Sequence, residues 1–317
     1  MTLKKATKWM SVLSLSLLLA ACDEEATQET EDATTEEAAT TEEGSTDGEE
    51  GSEEAAGDFD FSSALNASTR EDGSGTRSAF AEIVGLEDED GNDTISQELT
   101  IQNGTSSVIT SVQEDEYAMG YISVGSLNDE VKALAVEGVE PTPENIQSGD
   151  YEIARNFNIA WGSELSEPAQ DFVDFIFSAD GQAVIEENGE VPIDPEAPEF
   201  EGGDVEGQVQ INGSTSVTPA MELLTEAYNE INPDVTFDIA STGSGAGVTS
   251  AIDNTADIGM ASRELSDEEL EQVEDAQAIA VDGIAVIVHP DNPVEDITLD
   301  QLEQIYLGEV DTWEDFE

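Results

Sequence analysis

Hydrophobic and polar positions from residue 58 onward switch between two periods. Short runs rich in branched and aromatic residues at 118–124, 133–136, 156–161, 208–211, 235–240, 257–261 and 278–288 predict strands. Between them, apolar residues recur every three to four positions, predicting helices at 76–84, 104–112, 167–177, 179–187, 218–231, 245–254, 266–273 and 298–307. In 218–231 the stripe is Met221, Leu224, Tyr228 and Ile231. Strands alternating with helices predict an α/β fold. The pattern lapses over 194–207, where Pro, Glu and Gly dominate, so this stretch reads as an acidic linker between two halves.

The first 57 residues carry no such pattern. Lys4, Lys5 and Lys8 precede an apolar run at 12–19, and Leu19-Ala20-Ala21-Cys22 has the form of a lipoprotein cleavage site, so residues 1–21 read as a signal peptide and Cys22 as the lipidated residue. The run is too short for a permanent membrane span. Cys22 is the only cysteine, which excludes an internal disulfide and a cysteine metal cluster. Residues 23–57 hold 15 acidic residues and no basic or aromatic one. That composition cannot bury enough apolar surface to offset ordering, so it predicts a tether of roughly 30–35 Å average reach.

Charge sharpens the picture. The chain has 75 Asp and Glu against eight Lys and Arg, and from residue 58 onward 60 acidic residues face only Arg70, Arg77, Lys132, Arg155 and Arg263. Such a surface argues against nucleic acid and anionic lipid as partners. It suits concentrated salt, where screening shortens to about 3 Å near 1 M. An anion site under this net charge needs short-range donors: backbone N–H groups, hydroxyls and a forked guanidinium.

Two segments supply them. In Arg70-Glu71-Asp72-Gly73-Ser74-Gly75-Thr76-Arg77, Arg70 can fork onto two oxygens, Asp72 would orient it, and Ser74, Gly75 and Thr76 open a helix whose N–H groups favour an anion. In Ser241-Thr242-Gly243-Ser244-Gly245-Ala246-Gly247, Ser244 opens another; a nucleotide loop is the weaker reading, because the dinucleotide spacing and the P-loop lysine are both absent. Ser216 and Val217, aided by Thr215, precede the 218–231 helix and serve equally well as a plain N-cap. His289, the only histidine, precedes Pro290 and reads as a surface or hinge residue; no nucleophile and base set can be assembled without it, and no cofactor or metal is expected.

These motifs, with Asn212-Gly213-Ser214-Thr215-Ser216-Val217, Asp257-Ile258-Gly259-Met260-Ala261-Ser262-Arg263, Asp282-Gly283-Ile284-Ala285-Val286-Ile287-Val288 and Gly120-Tyr121-Ile122-Ser123, resemble the PstS family, the phosphate-binding proteins of ABC transporters. The resemblance runs from about residue 66 onward, but its order differs: in the family the region matching 212–317 comes first and that matching 70–192 second. It implies a circularly permuted, two-lobed type II periplasmic-binding-protein fold with the ligand cleft between lobes. The usual termini would be joined through 194–207, one lobe formed by 128–193 and 208–285, and the other by 58–127 and 286–317. A fragment of two tandem copies is the competing account, and predicts incomplete sites.

The resemblance further implies that Arg70, Ser74, Gly75, Thr76, Ser216, Val217, Ser244 and Ser262 contact inorganic phosphate, with Asp72, Thr215, Arg263 and Asp282 in support. It implies no enzyme activity but a monomer, lipid-anchored at the outer face of the cell membrane, that delivers phosphate to ABC permease subunits. A sensor or scavenger without a transporter, or a protein for sulfate or molybdate, is the alternative. At Ser262 the best-known family pattern has a carboxylate that accepts the proton of hydrogen phosphate and thereby rejects sulfate. With serine there, Asp72 and Asp282 are the candidate acceptors.

Overall fold

The strand Asp275–Val288 organises the molecule: fourteen residues long and buried over most of its length, it runs through both lobes. In a computed structural model, which describes residues 59–88 and 92–316, it is the eleventh of twelve strands. The export segment, Cys22 and the acidic tether lie outside the described residues.

In chain order the elements are β1 (Asn66–Arg70), α1 (Gly75–Val84), β2 (Thr100–Gln102), α2 (Thr105–Gln113), β3 (Ala118–Ser123), β4 (Lys132–Ala133), β5 (Ala135–Val136) and α3 (Pro143–Ser148). Then come β6 (Ala154–Trp161), α4 (Glu167–Ile176), α5 (Ala179–Glu187), β7 (Val191–Pro192), β8 (Gly207–Gly213), α6 (Thr218–Ile231), β9 (Val235–Ser241), α7 (Ser244–Ile252), β10 (Ile258–Ala261) and α8 (Asp267–Leu270). The chain continues through β11 (Asp275–Val288), β12 (Asp296–Ile297) and α9 (Leu299–Leu307).

The main sheet has the order β2-β1-β3-β11-β6-β10-β8-β9, with β4 and β7 also paired to β11. Its outer strands are parallel, β2-β1-β3 at one end and β10-β8-β9 at the other, while β11 is antiparallel to β3 and β6. Residues 284–288 of β11 pair with β3, and residues 275–283 with β6. The sheet is thus shared between two cores. One is built from Phe80, Val108, Tyr121, Leu134, Tyr151, Ile287, Tyr306 and Trp313, the other from Phe157, Phe172, Met221, Tyr228, Met260 and Ile279.

These cores correct the lobe boundary. Residues 128–153, expected with 208–285, place Val131, Leu134, Val136, Ile146, Tyr151 and Ile153 in the other core. The second lobe is therefore the uninterrupted stretch from about 154 to 283, and the first is made of two pieces, 59–153 and 284–316. The chain crosses between lobes twice, at the start of β6 and within β11. The strand expected at 133–136 is split into two pairs, β4 on β11 and β5 on β12, because Leu134 turns fully into the core between them.

The 194–207 stretch joins β7 to β8 inside one lobe and has no regular structure before Gly207. It is pinned rather than loose. Phe200 packs on Phe175 and Tyr228 with ring centroids 5.3 and 6.0 Å apart, the Ala179 N–H donates to the Pro198 carbonyl at 2.7 Å, and the Phe200 N–H donates to Asp180 at 3.0 Å.

Candidate functional site

Each parallel strand of the main sheet except β3 hands the chain to the same crevice from its carboxyl end, where open α/β sheets place ligands. β1 ends at Arg70 and leads into α1; β2 leads into α2, β8 into α6, β9 into α7, and β10 ends at Ala261 before Ser262. Four helix N-termini, two from each lobe, therefore face one cleft, and their first N–H groups have no acceptor within the helix.

Their composition singles them out. α1, α2, α6 and α7 have no acidic residue in the first turn, whereas α3, α4, α5, α8 and α9 each have at least one. Carboxylates normally favour the positive end of a helix, and this chain has them in excess. Their exclusion from these four ends leaves the positive potential open to a ligand. Three of the four, α2, α6 and α7, also lack a side-chain cap. Gly243 stands at the cap position of α7 with φ 98°, a conformation that disfavours any residue with a Cβ.

Arg70 lies at the base of this ring, 1% exposed. Its Nε and Nη2 donate to the two carboxylate oxygens of Glu71, both at 2.9 Å, and Nη2 also donates to Thr215 Oγ1 at 2.9 Å across the cleft. Its Nη1 is buried and has no hydrogen-bond partner. The backbone behind is fixed by Tyr121, whose hydroxyl meets the Arg70 N–H at 3.3 Å and Thr69 Oγ1 at 2.8 Å while its ring stacks on Phe80 at 4.1 Å. Arg77 Nη1 donates to the Arg70 carbonyl at 2.9 Å.

Hydroxyls complete the lining. Thr76 Oγ1 meets Ser216 Oγ at 2.9 Å from the opposite lobe, and Thr105 Oγ1 reaches both Thr215 Oγ1 and Ser216 Oγ at 3.3 Å. Ser262 Oγ lies 2.9 Å from Ser214 Oγ and 3.3 Å from Ser244 Oγ. Gly75 sits against this group so closely that a Cβ there would fall 2.4 Å from Ser244 Oγ and 2.8 Å from Ser262 Oγ. The Gly245 N–H donates to the Gly73 carbonyl across the cleft at 3.0 Å. Ser74 caps α1 by accepting the Arg77 N–H at 3.3 Å, and Ser216 and Val217 turn their N–H groups toward Ser214 Oγ at 3.2 and 3.4 Å. Arg70, Ser74, Gly75, Thr76, Thr215, Ser216, Val217, Ser244 and Ser262 are thus brought together in one chain.

Three expected supporting residues lie elsewhere. The Asp72 side chain is fully exposed, 3.4 Å from Arg77, and does not touch Arg70. Glu71 orients Arg70 instead and also accepts the Gly104 N–H at 3.1 Å. The pairing with Arg70 and two backbone N–H groups outweigh burial and hold the Glu71 carboxyl below the usual carboxylate range. Arg263 forks onto Glu269 at 2.7 and 2.8 Å, bracing the capping box that opens α8. Asp282, wholly buried at the lobe crossing, pairs with Arg155 at 3.0 Å and accepts from Ser123 Oγ at 2.8 Å; burial pushes its carboxyl up, opposed by Arg155. His289 lies in the turn after β11, where its Nδ1 accepts the Asp291 N–H at 3.1 Å. Sequence reasoning missed Glu71, Thr105 and Ser214. Ser214 stood inside a quoted motif, but Thr105 belongs to an ordinary Gly-Thr-Ser helix start with nothing in the sequence to point to the cleft.

Comparison with known proteins gives three concordant results. A family model described as a PBP superfamily domain matches residues 62–180 and 199–317. The phosphate-binding protein PstS 2 of Streptococcus pneumoniae serotype 4 is 42% identical over 267 residues, covering 83% of this chain and 91% of that protein. PstS 2 of Streptococcus agalactiae serotype V is 45% identical over 257 residues, covering 79% and 87%. The crystal structure of a phosphate-binding protein of a phosphate ABC transporter from Streptococcus pneumoniae superposes with a TM-score of 0.65, covering 80% of this chain and all of that one.

Proposed function

Because the chain belongs to the PstS family of phosphate-binding proteins, we propose that its interlobe cleft takes up inorganic phosphate and delivers it to an ABC import permease. The observation that carries this reading is Arg70 Nη1, a buried guanidinium nitrogen without a partner among four acid-free helix N-termini. A tetrahedral oxyanion satisfies it and the surrounding hydroxyls together. The chain works by binding and release, not catalysis.

The two strand crossings serve as the hinge, and the cross-cleft bonds from Arg70, Thr76 and Gly245 are those that closure makes and opening breaks. The permease recognises the closed form. One chain supplies every lining residue, which supports a monomer. Lipid on Cys22 holds the protein at the extracellular face of the membrane, with residues 23–57 as spacer; this rests on the lipoprotein-type sequence and on the family's role in import. Contribution of both halves to one cleft, and the separate matching of 62–180 and 199–317 by one family model, support a circular permutation over a fragment of tandem copies.

Titration calorimetry of the full mature chain with phosphate in molar salt tests the function. Saturable binding at one site per chain, weakened at least about 30-fold in Arg70→Ala, is the expected result. No binding heat in the wild-type protein would overturn it.

A further inference from the structure

The hydroxyls of the cleft are wired in a fixed sense. Arg70 Nη2 can only donate, so Thr215 Oγ1 receives from it and turns its own proton to Thr105 Oγ1, 3.3 Å away. Thr105 in turn faces Ser216, and Ser216 faces Thr76, at 3.3 and 2.9 Å. The proton left over at the end of this series belongs to Thr76. A second series runs in the same sense. Ser214 Oγ accepts the N–H groups of Ser216 and Val217 and donates to Ser262 Oγ at 2.9 Å. Ser262 Oγ faces Ser244 Oγ at 3.3 Å, and Ser244 Oγ also receives the Ser262 N–H at 3.0 Å, so a proton on Ser244 is left for the cleft.

The carboxylates nearest in sequence and space are all committed or turned away. Glu71 is filled by Arg70 and the Gly104 N–H, Asp72 projects into solvent, and Asp282 is filled by Arg155 and Ser123. What the cleft offers is therefore donors: Arg70 Nη1, the last hydroxyl of each series, and helix N–H groups.

We infer that this is a donor-only site whose preferred ligands are fully ionised tetrahedral oxyanions, sulfate as well as phosphate, with Ser262 as the residue that sets this breadth. The inference rests on the reading of the cleft as the anion site. Hydrogen phosphate brings one P–OH proton that needs an acceptor, and a buried hydroxyl left unmet costs roughly 5- to 150-fold in affinity. Sulfate brings no such proton. It forgoes nothing here, and the discrimination that an acceptor carboxylate would give is missing.

Calorimetric titration of the full mature chain with phosphate and with sulfate, at matched ionic strength, tests this. In the wild type at pH 8 the two dissociation constants are expected within about tenfold of each other. Ser262→Asp, which places an acceptor at that point, is expected to weaken sulfate by at least about 100-fold relative to phosphate. A measurement without any variant stands beside it: from pH 8 to pH 5.5, where phosphate gains a second proton, its affinity relative to sulfate falls about tenfold or more. Sulfate binding over 100-fold weaker than phosphate in the wild type overturns the inference, as does a phosphate-to-sulfate ratio that does not move with pH. Sulfate binding without phosphate binding overturns the phosphate reading and leaves this inference standing; binding of neither overturns both.

Discussion

Arg70 is held on three sides and open on the fourth. Glu71 takes its Nε and Nη2, Thr215 bridges from the other lobe, and Tyr121 fixes the backbone behind it, so the guanidinium meets a ligand without first having to be ordered. Arg70→Ala removes a charge-assisted contact and leaves Glu71 facing the anion; a loss of about 30- to 150-fold in phosphate affinity is expected by calorimetry. Asp72→Ala, by contrast, should alter affinity less than about twofold, because an exposed charge is well screened. A larger loss in the Asp72 variant than in Glu71→Ala would reverse the roles drawn from the geometry. At the lobe crossing, Glu190 is 1% exposed and its carboxyl is pushed up to about 8, first by burial and then by the nearby Asp282. A raised acid is neutral in the fold while the unfolded chain ionises it, so its contribution is complete below the unfolded value and is lost as pH rises towards about 8. Glu190→Gln should therefore raise the melting temperature at pH 8 and leave it little changed at pH 4.5.

At the scale of elements, the four cleft-facing helices are set apart by what their first turns omit. Ser106 lies exposed in the first turn of α2, so Ser106→Asp should stabilise that helix by about 0.3–1 kcal/mol. The same charge faces the incoming anion and should weaken phosphate binding by roughly threefold or more. Opposite signs in melting temperature and affinity are the signature to measure. Gly75→Ala acts through closure: its methyl would meet Ser244 and Ser262, and overpacking of that kind costs about 1–3 kcal/mol, enough to lower affinity about tenfold with both cores intact. Many of these elements were legible in the sequence. The 218–231 helix lies where its apolar stripe put it, and the two Gly-Ser segments do open helices at the cleft. β1 was not legible, because Asn66-Ala67-Ser68-Thr69-Arg70 has no alternating pattern; it is buried through polar bonds such as Ser68 to the Met119 carbonyl rather than through apolar packing. The helix expected over 266–273 ends at Leu270: the capping box was readable, but no residue of α8 is buried to extend it. The lobe boundary failed for a related reason, since strands of two residues leave no period to read and only packing shows which core owns them.

Over the whole molecule every positive charge beyond residue 58 has a specific carboxylate partner: Arg70 with Glu71, Arg77 with Asp93, Lys132 with Glu295, Arg155 with Asp282 and Arg263 with Glu269. The remaining carboxylates are left to repel one another, and salt is what screens them. Melting temperature should rise from dilute buffer to molar sodium chloride, and differential scanning calorimetry across that range checks it. A curve indifferent to chloride would mean that the acidic composition is not an adaptation to salt. The division of one lobe into two pieces bears on how the protein comes into being. Residues 154–283 hold their partners within one uninterrupted stretch, so that lobe can condense as soon as it has crossed the membrane. The other cannot: the Ser68 carbonyl waits for Tyr306, 238 residues later, and Leu65 for Asp311. Closing so long a loop slows folding. Arg70 and Thr76, the first cleft residues to be exported, would then be the last to be locked into place, and between those two moments the exposed half-core is the species that a protease or a chaperone outside the cell would meet.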